Sequence, residues 1–179
     1  MNRHSFTLRP FASSPTTADY IISGVVARSE GKLVIDYSLK GPLDMLCMRP
    51  PAKVPLRKDR LWEETCFECF IGRDSQKGYW EINLSPAGHW NIYQFDGYRS
   101  GMKEASACSL FPSVEASAPD RFTIRCDLYL NTIGLANIRI NIGPCAILKT
   151  TDLKMSYWAM GHPGPKPDFH RQDGFELNL

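Results

Sequence analysis

No stretch of the 179 residues stays apolar over the ~20 positions that a membrane-spanning helix needs. The opening residues, MNRHSFTLRPFASS, contain no apolar run of the kind a secretory leader carries, so the cytoplasm is the expected compartment. Charge of one sign is also scarce: 21 Lys and Arg against 19 Asp and Glu leave a net +2, with only a short RKDR run at 57–60. That balance gives no continuous phosphate-binding stripe, so neither nucleic acid nor an anionic membrane is expected as a partner. The sequence has no glycine-rich phosphate loop, no G-x-S-x-G elbow, no H-E-x-x-H and no C-x-x-C-H, which removes the familiar enzyme and haem-attachment signatures. Neither repeats nor a linker divide the chain, and no segment reads as a three-turn amphipathic helix. A single domain spanning 1–179 is expected.

What the chain does have is short β-rich runs punctuated by Gly, Pro and Asn. Strands are expected over 5–10, 20–28, 32–39, 65–71, 79–85, 90–95, 108–115, 121–130, 138–142, 145–148, 155–160 and 175–179. Residues 41–60 hold four prolines and read as a long loop, while 116–120 reads as a turn and 131–135 as one helical turn. An all-β fold with little helix follows: an antiparallel β-sandwich of about ten strands, immunoglobulin-like or jelly-roll-like, with a barrel as the alternative.

The chemistry gathers in 61–102, where aromatic and ionisable residues are densest. Strand alternation puts Phe67, Cys69 and Ile71 on one face and Cys66, Glu68 and Phe70 on the other. In the next strand Trp80, Ile82 and Leu84 oppose Tyr79, Glu81, Asn83 and Ser85. One face is therefore apolar, and the other carries two acids and an amide among aromatic rings. Flat apolar surfaces beside partly desolvated carboxylates suit a ligand rich in hydroxyls, since a ring stacks on the C–H face of a sugar while polar groups bond its rim. Trp62, Glu68, Glu81, Asn83, Tyr98, Arg99 and Trp158 are the candidate ligand-binding residues.

Other chemistries compete for the same residues. Glu63, Glu64, Glu68 and Glu81 could supply an acid and base about 5 to 9 Å apart, the arrangement used in glycoside hydrolysis. Met102, His162 and His170 could serve a metal or haem as thioether and imidazole ligands. Cys66 and Cys69 match C-x-x-C, but residues three apart on a strand face opposite ways and cannot grip one ion, so all six cysteines read as free thiols.

Three stretches, LWEETCFECFIG, GYWEINLSPAGHWNIYQFDGYRSGM and SYWAMGHPGPKPDFHRQDGFEL, together resemble the DOMON-like domain family, in the subgroup similar to carbohydrate-binding module family 9. The resemblance implies a β-sandwich that holds a sugar or a haem without catalysis by the domain itself. It implies a saccharide sandwiched by Trp62 and Trp158, with Glu68 bonding its hydroxyls, and haem b as the alternative ligand.

Overall fold

The computed structural model describes residues 2–105 and 108–179, and among them twelve strands form one antiparallel sheet. They are β1 (Asn2–Pro10), β2 (Ile21–Ser29), β3 (Lys32–Lys40), β4 (Cys66–Arg73), β5 (Tyr79–Leu84), β6 (Trp90–Phe95), β7 (Lys103–Glu104), β8 (Leu110–Ala118), β9 (Arg121–Tyr129), β10 (Ile140–Lys149), β11 (Met155–Ala159) and β12 (Leu177–Asn178). Their order is β7-β6-β5-β4-β10-β11-β1-β2-β3-β9-β8, with β12 added against β10. The sheet curls at the short β1–β11 pairing, where only Arg9↔Ala159 and Pro10↔Trp158 are in register. One half, β7 to β11, thereby lies over the other, β1 to β8, as the expected sandwich requires.

The core fills the space between the halves. Tyr37 of β3 meets Phe67 of β4 at 5.4 Å between ring centroids, and Phe67 stacks on Phe122 of β9 at 5.5 Å. Phe67, Cys69, Ile71, Trp80, Ile82 and Leu84 all point into this layer, as alternation predicts. The Tyr37 hydroxyl donates across it to the Glu68 carbonyl, which pins β4 to the opposite half.

The runs at 138–142 and 145–148 are one strand rather than two. β10 passes through Gly143-Pro144 while pairing β4 along its whole length. On its other side β12 pairs as far as Ile142 and β11 begins at Cys145, so the proline falls in a local edge where no ladder bond is lost. The segment 116–120 is likewise mostly strand, because β8 extends to Ala118 through an irregularity between Ala116 and Ala118. The 131–135 turn is present as a 3-10 turn, Leu130–Ile133, ended by Gly134 in the left-handed region at φ 74°.

The outer face of the β4–β10 half is covered rather than bathed in water. Phe70, Tyr79, Tyr93, Phe95 and Cys145 form a second apolar cluster beneath Phe175, with Trp62 and Phe169 packed against it. Phe175 can lie there because Gly143 and Gly72 leave its ring room: an added Cβ would come within 2.7 Å and 3.0 Å of it respectively. The C-terminal segment is thus folded back over the strands that carry the two glutamates.

Candidate functional site

Between this covering segment and the 3-10 turn Leu61–Glu63 lies a cleft of about 340 Å³. Its floor comes from consecutive strands: Glu81 of β5, Glu68 of β4, Ile147 of β10 and Tyr157 of β11, with Phe95 from β6. Its rim comes from loops, with Trp62 before β4, Arg99 and Met102 after β6, and Pro167, Phe169 and His170 from the C-terminal segment. Antiparallel register places the floor residues on one face: Cys145 opposes Glu68, Ile147 opposes Tyr157, and Phe70 opposes Glu81.

Glu68 is the least satisfied group in it. The residue is 3% exposed, its Oε1 has no hydrogen-bond partner among the described residues, and its Oε2 has a weak Cys145 thiol contact at 3.9 Å. Burial, and then the neighbouring Glu81 carboxylate, push the Glu68 carboxyl well above its ordinary range. Glu81 is also raised by burial, but less, because Asn83 Nδ2 donates to its Oε1 at 2.7 Å and Arg99 is nearby. The floor therefore holds two neighbouring carboxyls in a partly apolar setting, of which Glu68 is the more reluctant to ionise.

The rim is cross-braced. Arg99 Nη2 donates to Asp168 Oδ1 at 2.9 Å, and Tyr98 donates to Oδ2 of the same carboxylate at 2.5 Å. Burial works against the Asp168 charge, but these bonds from Tyr98 and Arg99 outweigh it and hold the carboxyl below its usual value. His170 Nδ1 bonds the Tyr79 hydroxyl at 2.8 Å, and its Nε2 lies 3.8 Å from Glu81 Oε2. Burial, helped by Arg99, drives the imidazole down to about 4, so it is neutral at physiological pH.

Of the residues singled out from sequence, Trp62, Glu68, Glu81 and Arg99 meet in this cleft, and so do Met102 and His170. Asn83 is buried behind them: it holds Glu81 and accepts the Cys66 thiol at 3.5 Å, so it positions the floor without lining it. Tyr98 stands outside, 60% exposed, and reaches the site only by bracing Asp168. His162 is elsewhere, donating to the Arg9 carbonyl at 2.9 Å. Trp158 requires a correction. Its indole is 1% exposed and packs in the central core, with Nε1 donating to Ser156 Oγ at 2.9 Å. The register Ala146↔Trp158 turns it inward and turns its neighbour Tyr157 to the cleft. The expected pair of tryptophan walls is thus one tryptophan and one tyrosine.

Tyr157, Phe95, Ile147, Pro167 and Phe169 were not anticipated. β10 and β11 are apolar or ambivalent on both faces, so their sequences carry no alternation to read. The segment 161–174, GHPGPKPDFHRQDG, has the Gly and Pro content of a loop and no periodicity, and only its aromatic and imidazole residues hint that it packs on something.

No family model and no curated protein matches this chain. Solved structures do. A candidate carbohydrate-binding protein from Bacteroides uniformis superposes with a TM-score of 0.65 at 13% identity, covering 96% of this chain and 84% of the other. A carbohydrate-binding module family 9 domain from Caldicellulosiruptor kristjanssonii, in complex with cellotriose, gives 0.54 at 9% identity over 88% of this chain and 72% of that one. The same kind of domain in complex with glucose gives 0.51 at 9% identity, over 84% and 70%. At such identities the likeness is one of fold, and at that level it matches the family 9 resemblance read from the sequence.

Proposed function

We propose that this chain is a non-catalytic saccharide-binding domain whose ligand lies in the cleft between Trp62 and Tyr157. The observation that carries this reading is the juxtaposition of aromatic rims with a floor that includes a buried, unpartnered carboxyl oxygen on Glu68. A pyranose presents an apolar C–H face to rings and hydroxyls to polar atoms, so one small molecule answers both needs. The solved structures of this fold that hold glucose or cellotriose support the ligand class. Arg99 and the Asn83-braced Glu81 supply a further donor and acceptor at fixed positions.

Haem fits this cleft poorly. Met102 and His170 share it, but both ring nitrogens of His170 already face protein groups, Tyr79 and Glu81. Calorimetric titration with glucose and cellotriose tests the proposal. Saturable binding that weakens about fivefold or more in Trp62→Ala is expected, the loss of one stacked ring being worth about 1 kcal/mol or more. Affinity unchanged by that substitution would contradict it.

A further inference from the structure

We infer that the preferred ligand is an amino sugar, its ammonium group seated on the cleft floor against Glu68 and Glu81. The inference rests on the saccharide reading above and adds a charge to it. Among the described residues lining the cleft, the carboxyl, guanidinium and imidazole groups are those of Glu68, Glu81, Arg99 and His170, with the Tyr157 phenol beside them. The two acids are buried, whereas Arg99 is half exposed at the rim and already bonded to Asp168. His170 packs edge-on to Phe70 and Phe95 and is bonded to Tyr79, an environment that keeps it neutral. The floor therefore has two carboxyls and no uncommitted protein cation.

A buried carboxylate without a counter-charge is costly, and its usual escape is to keep its proton. Burial, and then the Glu81 carboxylate, push the Glu68 carboxyl in that direction. A neutral sugar leaves that situation in place. An ammonium group changes it, because it brings three N–H donors and a positive charge to an Oε1 that has neither. The surroundings suit a cation as well: Trp62, Tyr157, Phe95 and Phe169 line the same cleft, and aromatic faces attract ammonium groups that have left water. The remaining neighbours of Glu68, the Cys66 and Cys145 thiols, carry no charge to oppose this, since burial pushes both well up.

Three probes at about pH 6.5, where a primary amine is charged, separate the outcomes: glucosamine, glucose and N-acetylglucosamine. Glucosamine is expected to bind roughly tenfold or more tighter than the other two, because hydrogen bonds to a charged group are worth about 1.5 to 3 kcal/mol. Its titration in buffers of different ionisation heat is expected to show proton release to the buffer, because an ammonium partner brings the raised Glu68 carboxyl back down. In Glu68→Gln and in Glu81→Gln, with melting curves confirming that each is folded, the glucosamine-to-glucose ratio should shrink. Glucose binding with no advantage for glucosamine overturns the amino-sugar inference and leaves the saccharide reading standing. Failure of all three probes and of cellotriose overturns both. If 2-aminoethanol binds as tightly as glucosamine, the site is a general amine receptor and the sugar part of the inference is wrong.

Discussion

Glu68 combines three properties that a surface glutamate lacks: it is buried, it shares its cleft with a second carboxyl, and one of its oxygens has no hydrogen-bond partner among the described residues. An acid whose folded pKa lies above its unfolded value stabilises the fold fully below the unfolded pKa, near 4.5, and that contribution is lost as pH rises through the folded value. His170 acts with the opposite sign. Its value falls from 6.5 to about 4, so its contribution is complete above 6.5 and is lost as pH drops through about 4. Between about 4.5 and 6.5 the two oppose each other. Glu68→Gln removes the titrating group and leaves His170 in both proteins, so its melting temperature relative to wild type is expected to rise as pH increases from about 4.5. The gap can grow by at most about 1.4 kcal/mol per pH unit. Parallel curves in thermal melts across that range would mean that Glu68 is ionised without cost. This residue was legible from sequence because Glu68 and Glu81 are isolated acids in otherwise mostly apolar strands, and the two-residue period puts both on the face opposite Phe67, Trp80 and Ile82. Trp158 was not, because its neighbour is also aromatic and either ring could have faced the cleft.

At the scale of elements, the C-terminal segment decides whether the cleft exists. It contributes Pro167, Phe169 and His170 to the rim, and it is anchored by Phe175 against the glycines of β4 and β10. Gly143→Ala places a methyl group 2.7 Å from the Phe175 ring and should destabilise the protein by about 1 to 3 kcal/mol through overpacking. Combined with Phe175→Ala, the penalty should fall short of the sum, because the second change removes the atoms that the first one strikes. Chemical denaturation of the four variants in that cycle measures the coupling, and strict additivity would mean that the ring is not seated there. The strand pairs themselves were largely readable from β-branched runs and turn residues. The seat of Phe175 was not, since it depends on strands adjacent in space and about 70 residues apart in sequence. β7, two residues long, was too short to leave any pattern.

For the molecule as a whole, curling one sheet of twelve strands solves two problems together. The inner faces bury a continuous core, and the outer face of the β4–β10 half is left with a strip that loops can wall into a cleft. Fold class could be inferred because absent helical periodicity and frequent turns leave few architectures. The identity of the second wall could not, because it depends on the register of β11 against β10. The four indoles, Trp62, Trp80, Trp90 and Trp158, give a direct readout of which face meets ligand. In an amide-correlated NMR titration with a binding saccharide, the Trp62 indole N–H should move progressively to saturation. The Trp158 indole, sealed in the core and bonded to Ser156, should stay in place. Movement of Trp158 with Trp62 unperturbed would contradict the account at its centre.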